Sequence, residues 1–105
     1  MSALNDKRIR VMLGDGSIQR EVVRRLATVL AKYPANPADW SAVHEAHVRL
    51  AVTVTLKAIH DELEARPGLT YDESVALDAL LGQRWINSVM TRLRELGAIV
   101  REATS

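Results

Sequence analysis

The sequence has no cysteine and no phenylalanine, and among its 105 residues it carries only two tryptophans, two tyrosines, three prolines and five glycines. Without cysteine there are no disulfides, no thiol nucleophiles and no thiolate metal sites. The same lack fits a reducing compartment. Without phenylalanine the core must come from Val, Leu, Ile, Ala and Met, with Trp40 and Trp85 as its only large pieces. Long apolar runs are also missing. The most apolar region, "VRLAVTVTLKAI", holds Arg49 and Lys57 and is too short to span a bilayer. The opening "MSALNDKRIR" has no apolar stretch behind its charges, so no secretory leader is expected. The expectation is a soluble cytoplasmic protein with no membrane partner. The net charge of +1 gives no strong pull toward nucleic acid or an anionic surface.

What is present is ordinary for one globular domain, with 48% hydrophobic and 26% charged residues. Charge is unevenly placed. Residues 1–33 hold seven basic groups against three acidic ones, residues 34–81 hold three against eight, and residues 82–105 hold four against two. Two basic ends flank an acidic middle.

Periodicity predicts an all-α domain spanning residues 1–105, with four helices over 17–33, 37–66, 71–81 and 84–96. Residues 1–16 read as an arm or short strand, because "RIRVML" alternates Ile9, Val11 and Leu13 with Arg8, Arg10 and Met12. "GDGS" breaks the chain, and Ser17 is the expected N-cap of the first helix. On that helix Ile18, Val22, Leu26, Val29, Leu30 and Tyr33 share a face, with Arg20, Arg24 and Lys32 opposite. Glu21 and Arg25 form an i,i+4 pair. "NPADW" starts the second helix, with Asn36 as cap. Inside it "VRLAVTVTLK" alternates with period two like a strand, but both flanks are helical and no turn residue intervenes. "TYDE" is a capping box for the third helix, and Gly82 and Gly97 bound the fourth. "AIVREA" reads as a short strand or tail, leaving room for one strand pair between the two ends of the chain.

The long second helix shows two apolar stripes. Val43, His47, Leu50, Ala51, Val54 and Ala58 form one; Val48, Val52, Leu56, Ile59 and Leu63 form the other, nearly opposite. A helix apolar on most of its circumference is buried on more than one side. Its length favours a homodimer, with Val48, Val52, Leu56, Ile59 and Leu63 as the expected interface.

The last third, helix, tight Gly turn, helix, then "GAIV", resembles winged-helix and helix-turn-helix regulators over residues 70–101. The resemblance implies that the last helix lies in a DNA groove and that the Gly leads into a wing strand. The inner face of that helix is Ile86, Val89, Met90, Leu93 and Leu96. Its outer face carries Arg84, Asn87, Ser88, Thr91, Arg94 and Glu95, with Arg92 at the margin. Arg and Asn suit base edges, Ser and Thr suit phosphates. The segment from Gly82 to Gly97 is shorter than that motif, and little chain remains for a wing. A solvated polar face would also hold these residue types.

Other signals are weaker. "HEAH" sets His44 and His47 three apart, without the H-E-x-x-H pattern or a third ligand, so no metal is expected. "GDGS" lacks the spacing and Lys of a nucleotide loop and reads as a capped turn. Asp61, Glu62 and Glu64 read as a solvated cluster, His60 as part of the polar arc. Trp40 and Trp85 read as core. Nothing marks a nucleophile, so neither an enzyme nor a cofactor is expected. The leading expectation is a small DNA-binding regulator or accessory protein acting as a dimer. The alternative is a helical interaction module, an inhibitor, adaptor or subunit, that works through the second helix.

Overall fold

A computed structural model describes residues 7–104, with side chains described as far as residue 96. It is all-α. Six helices follow one another: α1 (Ile9–Gly14), α2 (Ser17–Arg25), α3 (Ala27–Leu30), α4 (Ala42–Glu64), α5 (Tyr71–Leu77) and α6 (Gln83–Thr104). Short 3-10 turns at Pro37–Asp39 and Asp78–Leu81 precede α4 and α6. No strand occurs among the described residues.

The expected strand pair is therefore replaced by helix at both ends. "RIRVML" folds as α1 because Ile9 and Met12, three apart, are both buried, while Val11 of the alternating pattern is exposed. At the other end α6 runs through Gly97 instead of stopping there. A glycine inside a helix costs about 1 kcal/mol relative to Ala, which does not by itself end the helix. Residues 98–100, the proposed wing strand, are helical; their side chains lie outside the described residues.

The first expected helix is divided. Leu26 interrupts it between α2 and α3 with φ −91° and ψ 2°. Its N-cap is Gly16 in the left-handed region (φ 82°), and Ser17 is the buried first helical residue. Asp15 replaces the serine as the capping side chain, with its Oδ1 accepting from the Ser17 N–H at 2.8 Å. Lys7 Nζ closes the turn on Asp15 Oδ2 at 2.8 Å and Ser17 Oγ at 2.7 Å. These bonds, Lys7's first, hold the Asp15 carboxyl well below the usual range.

Asn36 caps only the 3-10 turn; the cap of α4 is Ser41, five residues later, whose Oγ accepts from His44 N–H at 3.1 Å. Trp40 between them is half-buried. Its Nε1 donates to the Pro34 carbonyl at 2.8 Å, and Tyr33 bridges it to His44. The strand-like stretch of α4 is helical. Thr53 and Thr55 donate their hydroxyls to the carbonyls of Arg49 and Ala51, four residues back, each at 2.8 Å, which lets Thr55 be buried. The capping box forms as read, with Thr70 and Glu73 bonded reciprocally.

The core is one cluster among the described residues. Ile9, Met12, Ile18 and Val22 meet Val48, Val52, Leu56, Ile59 and Leu63 of α4, then Leu77 and Leu80, then Ile86, Val89, Met90 and Leu93 of α6. Helix α4 is thus the post on which α2, α5 and α6 pack. No helix among the described residues is long and apolar enough to cross a membrane.

Candidate functional site

Five residues assigned to an intersubunit seam are in the chain's own interior. Val48, Val52, Leu56, Ile59 and Leu63 are all at most 4% exposed. The physical reason is that α2, α5 and α6 all close on the same side of α4, and this stripe faces them. The opposite stripe is bare: Val43, Leu50 and Val54 are each 61–63% exposed, and His47 and Ala58 lie beside them in the open. Which stripe faces inward depends on where the other helices close, and periodicity alone does not carry that.

On the inner face of α6, Ile86, Val89, Met90 and Leu93 are buried as expected and Leu96 is half-buried, and the outer face divides into two flanks. Toward α4, Arg94 donates to Glu45 Oε1 at 2.7 Å, and Asn87 Oδ1 accepts from Arg49 at 3.0 Å and from Gln83 at 3.3 Å. Both are engaged inside the chain. Toward α2, Ser88 Oγ accepts from Gln19 Nε2 at 3.2 Å. This bond joins the start of α2 to α6. Around it opens a cleft of about 380 Å³ lined by Gln19, Arg20, Ser88, Thr91, Arg92 and Glu95, with Gly16 at the α2 terminus. Arg84 lines the adjoining hollow with Gln19, Ser88 and Trp85.

Six proposed contact residues therefore fall into two groups. Arg84, Ser88, Thr91 and Arg92 share one surface with Arg20. Asn87 and Arg94 lie on the other flank. Arg92 is only loosely paired with Glu95, at 3.8 Å, and Arg84 makes no ion pair among the described residues. The Gln19 Oε1 is buried with no hydrogen-bond partner. Gln19 was not foreseen; its place between Ile18 and Arg20 on a basic helix gives no hint of α6.

The other basic groups of α2 point away from this cleft. Glu21 is buried and receives Arg24 through both carboxylate oxygens at 2.6–3.0 Å; the foreseen Arg25 partner sits at 3.8 Å and turns to Glu62 at 2.6 Å. The Arg24 hydrogen bonds hold Glu21 below the ordinary glutamate range, against the opposing effect of its burial.

A second cluster sits at the far end of α4. The acidic neighbours Asp61, Glu62 and Glu64 are exposed, as expected of a solvated cluster, but His60 departs from the polar arc: it is buried, with carboxylates at both ring nitrogens. Its Nδ1 meets Asp61 Oδ1 at 3.0 Å, and its Nε2 faces Glu64 Oε2 at 2.9 Å and Asp78 Oδ1 at 3.1 Å. Burial disfavours the imidazolium, but hydrogen bonds to Asp61 and Asp78 and the charge of Glu64 outweigh it, and the net shift is upward. The His60–Glu64 half is legible as an i,i+4 pair. Asp78 is not, because it arrives from the turn after α5. His44 and His47, by contrast, belong to no such group among the described residues. His44 packs on Tyr33 at 5.0 Å instead.

Compared with known proteins, the chain matches no family model, no curated protein and no solved structure.

Proposed function

We propose that the α2–α6 face binds a nucleic-acid backbone, and that the chain is a small DNA-binding regulator or accessory protein. The observation that carries the reading is the Gln19–Ser88 bond. It brings Arg20, at the start of α2, onto one surface with the proposed reading helix, which supports the reading; Arg24 and Arg25 are paired elsewhere and do not contribute. Arg20, Arg84 and Arg92 supply cations there, and Ser88 and Thr91 supply hydroxyl donors to phosphate oxygens. Helix α6 follows α5 through the Gly82 turn, as the second helix of a helix-turn-helix follows the first. On this reading Arg94 and Asn87 position α6 and do not touch the nucleic acid.

Fluorescence anisotropy of a labelled mixed-sequence duplex at two salt concentrations tests it. Three phosphate contacts give a slope of log affinity on log salt near about −3. The triple variant Arg20→Ala, Arg84→Ala, Arg92→Ala loses binding. Absence of binding by the wild type at low salt overturns the reading.

A second reading is favoured by the bare stripe of α4. In it the chain is a helical interaction module with no nucleic-acid contact, and its partner is a second copy. Two antiparallel α4 helices crossing at Val54 set Leu50 opposite Ala58 and bring His47, seven residues before the crossing, opposite Asp61, seven after it. Apolar groups thus meet at the centre, with a histidine facing an aspartate at each edge. Sedimentation equilibrium separates the readings: concentration-dependent dimers that Leu50→Glu abolishes support the second copy, and a monomer at all concentrations removes it.

A further inference from the structure

We propose that His60, Glu64 and Asp78 form a binding site for a first-row divalent cation of the Zn²⁺ type. It joins the end of α4 to the turn that leads into α6. The three candidate ligand atoms, His60 Nε2, Glu64 Oε2 and Asp78 Oδ1, all lie within 4.8 Å of one another. Zn²⁺ bonds to imidazole nitrogen and carboxylate oxygen run about 2.0–2.2 Å, so neighbouring ligands of a tetrahedral ion stand about 3.4 Å apart. The nitrogen-to-oxygen separations of 2.9 and 3.1 Å reach that spacing with an outward shift of a few tenths of an ångström.

Three features point to a cation and go beyond a collection of acids. The central donor is a buried imidazole whose side chain is 10% exposed. Its Nδ1 lies 3.0 Å from Asp61 Oδ1, and a proton held on that nitrogen leaves the lone pair of Nε2 facing both carboxylates. A metal on Nε2 would complete the carboxylate–histidine–metal arrangement known for bound zinc. The outer groups are themselves held: Ser74 Oγ donates to the far oxygen of Glu64 at 2.9 Å, and Lys57 Nζ donates to Asp61 Oδ2 at 3.1 Å. With the proton on Nδ1, a lone pair and two anionic oxygens converge on one point. A positive species at that point offsets the repulsion between them.

That species is either a bound metal or a second proton on the imidazole. The donor set of one nitrogen and two oxygens suits Zn²⁺, Co²⁺ or Mn²⁺ better than Mg²⁺ or Ca²⁺, which take oxygen ligands. Glu64 and Asp78 are 41% and 65% exposed, so the fourth position opens to solvent. His60 and Glu64 come from α4 and Asp78 from the turn Asp78–Leu81, so the ion would tie two elements that meet just before α6. This site does not depend on nucleic-acid binding by the α2–α6 face.

The test is titration of the full chain with Co²⁺, followed by visible absorption, alongside thermal melting with and without ZnCl₂. One ion per chain with ligand-field bands, and a higher melting temperature in Zn²⁺, are expected. Glu64→Gln and Asp78→Asn, both at exposed positions that leave the helices intact by circular dichroism, weaken binding at least about tenfold. The double variant His44→Gln, His47→Gln keeps it. The proposal is overturned by absence of bands and of any melting shift, which would identify the cluster as an imidazolium ion pair. Bands that survive Glu64→Gln and Asp78→Asn, or vanish in the His44, His47 variant, also overturn it.

Discussion

Arg94 reaches across from α6 and donates to Glu45 of α4 at 2.7 Å, so one flank of α6 is neutralised within the chain. Both side chains are about half exposed, and such pairs contribute about 0.2–1 kcal/mol. Arg94→Ala is expected to lower stability by less than about 1 kcal/mol in urea melts. In the anisotropy assay it leaves duplex affinity nearly unchanged, whereas the Arg84→Ala, Arg92→Ala pair reduces it. Equal losses from both would show that the flank toward α4 also meets the ligand.

The two stripes of α4 give a paired test. Leu56 is 1% exposed and Leu50 63%. Leu56→Ala removes buried methylenes and leaves a cavity, at a cost of about 2–5 kcal/mol. Leu50→Ala lies within about 0.5 kcal/mol of wild type, as surface changes do. Both are read from the denaturant midpoint at low protein concentration.

Glu21 links stability to pH. Its folded pKa is below its unfolded one, so its stabilisation is complete above the unfolded value, about 4.3, and is lost as pH falls toward the folded value. Glu21→Gln weakens the charged bonds to Arg24 and costs about 1.5–3 kcal/mol at pH 7. The difference between wild type and variant should shrink steadily below about pH 4. A gap that stays constant down to pH 2 would mean that the carboxylate charge is not the cause.

Thr70 supplies one half of the capping box on α5, accepting from the Glu73 N–H at 3.2 Å. Thr70→Ala should cost about 1 kcal/mol, and Thr70→Ser much less. Chemical denaturation of the three proteins measures both.

The sequence was most legible where a local rule acts alone. The "TYDE" box, the Gly82 turn and the inner face of α6 were all found at the expected residues. Short segments were misread where two periods fit equally. "RIRVML" satisfies alternation through Ile9 and Leu13, and helix through Ile9 and Met12; only packing against α2 and α5 selects the second. Gly97 has the composition of a helix stop but not the effect. The sites were least legible because they join distant residues: Gln19 to Ser88, and His60 to Asp78. Nothing in the spacing of either pair announces the meeting, which depends on how α2 and the turn before α6 close on α4.

The stretch "LAVTVTL" within α4 carries a final consequence. It is held helical because Val52, Thr55 and Leu56 face the core and two threonine hydroxyls bond back along the helix. Released from that packing, the same seven residues have high β-propensity, no net charge and neither Pro nor Gly, the makeup of a segment that stacks into cross-β fibrils. Core residues Val52, Thr55 and Leu56 thus alternate with exposed Leu50, Thr53 and Val54 in one stretch of strand-forming composition, and it is the packing of α4 that holds that stretch in helix.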